Sequence, residues 1–191
     1  MTETFFHPSI LFIAGAFLIP ILWGKVQKAY LLIIPAIAFL ICIGASEGTY
    51  GVYNFLGHEI IFAKIDKLSL VFSYVFTIMA FIGMMYGLHV KDVGQHIAAY
   101  LYIGSALGVT FAGDYFTLFV FWEIMAFASA YLVFAQRDAA AVKAGFRYIL
   151  VHIAGGVFLL GGIILHYAET GSILFGPIEQ NGSAAFYLIM I

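Results

Sequence analysis

A single acidic side chain, Glu123, stands in the apolar and aromatic stretch FVFWEIMAFASAYL, residues 119–132. If this stretch spans a membrane, a charged side chain near its middle costs at least about 2.5–3.5 kcal/mol to insert, so such a residue is rarely kept without a partner or a task. The pattern predicts that Glu123 exchanges protons. The alternative is a protonated acid that is hydrogen-bonded across a helix interface only for packing.

Three further side chains could act with Glu123. His152 lies well inside a later apolar stretch, and an imidazole that takes up and releases protons near neutral pH could relay them. An interhelical hydrogen bond is the alternative for His152. Lys143 and Arg147 are four residues apart, so they are predicted to share one helix face at the cytoplasmic side. They are expected to anchor the helix at the interface, or alternatively to contact a partner or entering protons.

The overall composition indicates an integral membrane protein. Of the 191 residues, 64% are hydrophobic and 9% are charged, and the mean hydropathy is +1.05. A net charge of −2 offers no basic surface for nucleic acid. The lone cysteine, Cys42, excludes an internal disulfide or CxxC site, and His152 has no second deep histidine to share a haem. No cofactor and no metal are therefore predicted.

Apolar stretches long enough to cross a bilayer as helices predict an all-α polytopic membrane protein, in one domain over residues 1–191. The predicted helices cover residues 8–24, 29–46, 67–89, 95–113, 115–135 and 144–168. The Gly- and Tyr-rich residues 47–67 predict a short extramembrane hairpin between the second and third helices. The final stretch SAAFYLIMI would rise only about 13 Å as a helix, so we expect a truncated seventh span at 183–191.

Polar residues near the predicted helix ends have local roles. Asp66 and Asp114 directly precede helices and are expected to cap them. His96 and His166 fall near span ends, where water-exposed rings are expected, and His7 is predicted to lie outside the core.

The basic residues predict the orientation in the membrane. Of the eight lysines and arginines, Lys64 and Lys67 lie in the second loop, whereas the others lie in loops one, three and five. Cytoplasmic loops carry the excess of Lys and Arg. The odd loops are therefore predicted to face the cytoplasm, with the N-terminus outside.

Three segments together resemble a known family. They are KIDKLSLVF, GDYFTLFVFWEIMAFASAYLVF and AVKAGFRYILVHIAGGVFLLGGIILHYAETGS. They are similar to the antiporter-like subunits shared by Mrp-type Na⁺/H⁺ antiporters, with the D-type subunit favoured, by the membrane arm of complex I and by membrane-bound hydrogenases. The resemblance covers most of the chain from about residue 60, and Trp122 with Glu123 is its most specific element.

The resemblance implies a larger bundle with two inverted repeats, each containing a broken helix along a proton path. It also implies that the glutamate of the fifth span pairs with a lysine on the seventh. Glu123 matches the glutamate, and the lysine would lie beyond Ile191. The chain is expected to be the N-terminal part of such a subunit.

The predicted function is that of a proton-translocating subunit of an Mrp-type cation/proton antiporter, which is not an enzyme by itself. One alternative is a proton-pumping membrane subunit of a complex I-like NADH:quinone oxidoreductase or a hydrogenase. A scaffold that moves no ion is the alternative of another class. The implied partners are other membrane subunits, lipid, protons and Na⁺, in the inner membrane of a prokaryote.

Overall fold

The computed structural model describes residues 5–55, 57–176 and 183–190. The protein is mostly helical, at 73%. Its helices are α1 (Pro8–Ala16), a short 3₁₀ helix (Ile19–Ile21), α2 (Gly24–Ile43), α3 (Lys67–Gly87), α4 (Val93–Phe111), α5 (Tyr115–Phe134), α6 (Ala139–Thr170) and α7 (Ala184–Met190). The strands β1 (Gly48–Phe55) and β2 (His58–Ile65) lie between α2 and α3.

Within the described residues, four helices are long and apolar enough to cross a membrane, namely α2, α3, α5 and α6. The prediction of six whole spans is not confirmed. The helix predicted over 8–24 ends at Ala16, because Pro20 has no amide hydrogen and its ring would clash with the carbonyl one turn earlier. The chain continues as the 3₁₀ helix. Helix α4 has 19 residues but is not among the four helices that meet this criterion.

Helix α4 begins at Val93, close to the predicted residue 95, whereas two other helices begin about one and a half turns earlier than predicted. Helix α2 starts at Gly24 instead of residue 29. The long unbranched side chains that follow are compatible with a helix, and their polar ends can extend to water at the end of the helix. Helix α6 starts at Ala139 instead of residue 144, and Asp138 caps it by accepting a hydrogen bond from the Ala141 amide at 2.6 Å. Lys143 therefore lies within α6 and not in a loop.

The last helix, α7, agrees with the predicted start near residue 183. Its predicted end at Ile191 lies outside the described residues. Helix α7 packs against α6, where Leu188 and Ile189 approach Gly162. The glycine leaves room for this close approach.

The predicted hairpin is confirmed as a two-stranded antiparallel sheet in which Gly48 lies opposite Ile65 and Phe55 opposite His58. Asp66 ends the hairpin and caps α3, as predicted. Its carboxylate accepts the Ser69 amide hydrogen at 2.7 Å, which holds the pKa of Asp66 below its usual range.

Asp114 joins the hairpin to α5. Its fully buried carboxylate caps the helix, as predicted, by accepting hydrogen bonds from the Thr117 amide at 2.7 Å and the Thr117 hydroxyl at 2.8 Å. It also accepts the Ile61 amide hydrogen of β2 at 2.8 Å. Tyr115 next to it donates its amide hydrogen to Ile173 at 3.0 Å. One side chain therefore positions both the extramembrane hairpin and the start of the helix that carries Glu123.

We expect Asp114→Ala to destabilise the protein by about 2–4 kcal/mol, because it leaves two buried donors of Thr117 and the partly buried Ile61 amide without an acceptor. A lower midpoint of thermal unfolding of the purified complex in detergent would check this. Asp92 is the matched control, since it caps α4 through Gly94 at 2.9 Å but is partly exposed. Asp92→Ala should cost about 1 kcal/mol or less. Equal losses in the two variants would contradict the joining role of Asp114.

Three histidines are more buried than predicted. His7 is 3% exposed, and burial lowers its pKa to about 4. His96 is 5% exposed and His166 is 4% exposed, so the expected water-exposed rings are wrong. The His96 ring turns inward because Nε2 bonds the Val90 carbonyl at 3.0 Å. His166 packs against Tyr115, with ring centroids 5.2 Å apart. The Tyr115 contact of His166 comes from a distant part of the chain, which the local sequence pattern does not reveal.

Candidate functional site

Glu123 lies near the middle of α5 and faces α6. Its carboxylate is half-buried and occupies the space directly above Gly156, where a Cβ atom would collide with Glu123 Oε1. Only glycine leaves that space open to the carboxylate. The two helices therefore form a niche around the acid that any larger residue at position 156 would fill.

The carboxylate of Glu123 has no ion pair and no hydrogen bond within residues 5–55, 57–176 and 183–190. The ion pair found in this part of the chain joins Arg137 to Asp92 at 3.2 Å, at the ends of other helices. A carboxylate surrounded by apolar helices is stable as an anion only with a partner cation or hydrogen-bond donors. Within the described residues, Glu123 lacks both kinds of partner.

His152 lies one helical turn before Gly156 on α6, and its ring stacks on two aromatic rings. The Trp122 ring from α5 is nearly parallel to it, at 5.7 Å between centroids and 5° between planes. Tyr148, one turn earlier on α6, lies at 5.6 Å and 14°. The buried Nε2 atom of His152 has no hydrogen-bond partner in the described part of the chain.

The structure brings some of the predicted residues together and leaves others apart. Glu123 and His152 both face the α5–α6 interface. Glu123 contacts Gly156 on α6, and His152 stacks on Trp122, the neighbour of Glu123 on α5. Lys143 and Arg147 lie on the exposed surface of the first part of α6, and neither pairs with Glu123.

Sequence reasoning missed the contribution of Tyr148 to this interface. Tyr148, His152 and Gly156 are spaced by four residues, so they share one face of α6. That spacing is the signal that could have indicated the cluster. The partner on α5 could not be found in this way, because it depends on how the two helices are rotated against each other.

The site is separate from an apolar groove of about 760 Å³ between α3 and α4. The groove takes only Met125 from α5. In the residues that the structure describes, no group of three or more His, Cys, Asp or Glu side chains could hold a metal ion. The polar groups described at the α5–α6 interface are the Glu123 carboxylate, the His152 imidazole and the hydroxyl groups of Tyr148 and Ser129.

A family model matches residues 112–191, and its description is NADH:quinone oxidoreductase/Mrp antiporter, transmembrane. The matched part contains α5, α6 and α7, and so includes Glu123, Gly156 and His152. The α5–α6 niche thus belongs to the segment that the family model describes.

Curated relatives include Na⁺/H⁺ antiporter A1 subunits. That of Staphylococcus haemolyticus is 26% identical over 186 residues, which cover 88% of this chain and 23% of the relative. That of Staphylococcus aureus is 26% identical over 125 residues, covering 62% of this chain and 16% of the relative. The chain therefore spans less than a quarter of the length of these relatives. They are A1 subunits, whereas the sequence pattern favoured the D-type subunit.

Solved structures of three membrane complexes contain chains with a similar fold. A chain of the membrane-bound sulfane sulfur reductase, an archaeal respiratory complex, is 26% identical with a TM-score of 0.76, over 87% of this chain and 37% of that one. A chain of respiratory complex I from Thermus thermophilus is 16% identical with a TM-score of 0.80, over 96% and 41% of the two chains. A chain of the Mrp complex from Dietzia is 21% identical with a TM-score of 0.80, over 95% and 22%. The last two likenesses show the fold alone.

The apolar helices and these comparisons indicate a multi-pass membrane protein whose similar chains are subunits of larger complexes. The family match, the relatives and the shared fold together confirm the predicted resemblance to the antiporter-like membrane subunits of Mrp antiporters and respiratory complexes.

Proposed function

We propose that the chain is part of a proton-translocating, antiporter-like subunit of a multisubunit Mrp-type cation/proton antiporter, with Glu123 as its switch carboxylate. The observation that carries the proposal is the unpaired carboxylate of Glu123 in the Gly156 niche, inside the segment that matches the antiporter family. The proposed setting is the inner membrane of a prokaryote, with the N-terminus outside and other membrane subunits as partners.

The switch works through the energy of an ion pair in a medium of low dielectric constant. A lysine ammonium placed beside Glu123 is attracted much more strongly there than in water. While the pair is closed, the lysine keeps its proton. When the pair opens, the lysine loses its counterion and releases the proton, and closing the pair resets the site. In this proposal the lysine lies on the seventh span, which is the broken helix of the first repeat.

His152 is the proposed relay between the aqueous side and Glu123. Its Nε2 atom is buried without a partner among the described residues, so that nitrogen is not committed to another side chain and can exchange a proton with a group that comes beside it. Gly156, one turn further, leaves the carboxylate room to move. Lys143 and Arg147 are proposed to hold the cytoplasmic end of α6 at the interface and to contact a neighbouring subunit.

A redox-driven proton pump is the second candidate function. The observation that favours it is the 26% identity to a chain of an archaeal respiratory complex, equal to the identity to the antiporter relatives. The same Glu123 switch would then be driven by electron transfer in a partner subunit. The third candidate is a scaffold subunit in which Glu123 only packs.

A transport assay on the whole complex separates these functions. The complete complex would be expressed in a strain without its own antiporters, and inverted vesicles would be loaded with a pH-sensitive fluorophore. The antiporter proposal expects Na⁺ to collapse a preformed pH gradient. Acidification driven only by an added electron donor would identify the redox pump instead. If neither occurs in vesicles with all subunits present, both transport functions are wrong and the scaffold remains.

A further inference from the structure

We propose that Tyr148 is a positioning residue, which together with Trp122 orients the imidazole of His152 by aromatic stacking and is itself anchored by Ser129. The inference rests on the proposed function of His152 as a proton relay. It adds Trp122, Tyr148 and Ser129 to the site, in roles that orient His152 and do not transfer protons.

Two aromatic rings stack on the imidazole of His152. The planes of Trp122 and Tyr148 lie within 5° and 14° of the imidazole plane, with centroids 5.7 and 5.6 Å away. One ring comes from α5 and the other from α6. Offset parallel stacking of this kind is a favourable arrangement of aromatic rings. The ring orientation of His152 thus depends on the contact between the two helices.

The Tyr148 side chain is 38% exposed, so packing alone does not fix the position of its ring. A hydrogen bond is needed as an anchor. The anchor is a hydrogen bond to the Ser129 hydroxyl of α5, at 2.8 Å. The Ser129 hydroxyl donates to the Ala126 carbonyl at 2.9 Å, so the Tyr148 O–H donates to Ser129 Oγ. This chain of two hydrogen bonds ties the tyrosine of α6 to the backbone of α5.

Stacking suits a proton relay better than a hydrogen bond would. His152 has no hydrogen bond in the part of the chain that the structure describes. A histidine held by a hydrogen bond has one ring nitrogen committed to its partner. A histidine held by its faces keeps both nitrogens free, one to receive a proton and one to release it. Aromatic stacking therefore orients the imidazole without occupying the ring nitrogens that react.

The test uses variants of Tyr148 and Ser129 in the complete complex, with transport measured in inverted vesicles. Tyr148→Leu removes one aromatic face and should lower the transport rate about tenfold, since a small misplacement of a reacting group is costly. Tyr148→Phe keeps the face and loses the anchor, so it should lower the rate about threefold, the effect of one hydrogen bond. Ser129→Ala should match it, and the double variant should be no slower than either.

The control for a purely structural effect is a His152→Gln background. If Tyr148 acts through His152, Tyr148→Leu causes no further loss of transport there. A further loss in that background, or additive losses from Tyr148→Phe and Ser129→Ala, would overturn the inference. Subunit content of the vesicles is measured for every variant, so that rates are compared per assembled complex.

Two further outcomes separate this inference from the proposed function. If His152→Gln transports normally while Glu123→Gln does not, the positioning role of Tyr148 is wrong and the Glu123 switch stands. If both variants transport normally, the proposed function itself is wrong.

Discussion

Replacing Glu123 by glutamine should abolish ion transport by the complete complex and leave its assembly intact. Glutamine has nearly the same shape as glutamate, so it still fits the niche above Gly156. It carries no charge and exchanges no proton at neutral pH, so it cannot form the switch ion pair. Loss of a group that transfers protons typically lowers a rate by about 10²–10⁴-fold. The initial rate of Na⁺-dependent proton movement in inverted vesicles measures the effect.

Glu59→Gln is the matched control for this substitution. It makes the same glutamate-to-glutamine change at an exposed position of the hairpin, where Glu59 lies opposite Asn54. Glu59 is distant in sequence from the residues of the α5–α6 interface. Its transport rate should equal that of the wild type. Glu123→Asp keeps the charge on a shorter side chain, so partial transport is expected. Unchanged transport in Glu123→Gln, with normal subunit content, would reduce Glu123 to a packing residue and support the scaffold function.

Gly156→Ala should lower transport about tenfold or more without destabilising the helix. The added Cβ atom collides with Glu123 Oε1, the end of a flexible side chain, so the carboxylate moves and the backbone does not. Alanine is also the better helix former by about 1 kcal/mol. The expected result is a complex that is at least as stable as the wild type and transports poorly. Vesicle transport and thermal unfolding of the same preparation measure the two quantities.

The neighbouring Gly155 supplies the control. A Cβ atom at Gly155 would meet nothing within 4 Å, and Gly155→Ala gains the same helix propensity. It should transport at the wild-type rate. Equal losses in the two variants would show that the niche around the carboxylate is irrelevant and that α6 needs its glycines for another reason.

Local signals in the sequence predicted several elements well. Helices α3 and α5 were expected over 67–89 and 115–135 and occupy Lys67–Gly87 and Tyr115–Phe134. Their starts were predictable because Asp66 and Asp114 bond amides only three residues away. The hairpin was predictable for a similar reason, since its strands are adjacent in the chain.

The sequence misjudged features that depend on contacts between distant segments. His166 was expected at the water interface and is buried against Tyr115. The cap that Asp114 forms on α5 was predicted correctly, but its bond to Ile61 was missed, because the two residues are 53 positions apart. The early end of α1 was also missed, because hydropathy alone ignores the backbone constraint of Pro20.

The same distinction between local signals and tertiary contacts applies to the candidate site. By itself, the sequence determined that an acid stands in an apolar helix, because the cost of burying a charge makes Glu123 conspicuous without any structure. Only the tertiary structure decided that the acid faces Gly156, and that Trp122, Tyr148 and Ser129 surround His152. The physical reason is that the rotation of α5 against α6 is set by side-chain packing along both helices, which no single segment contains.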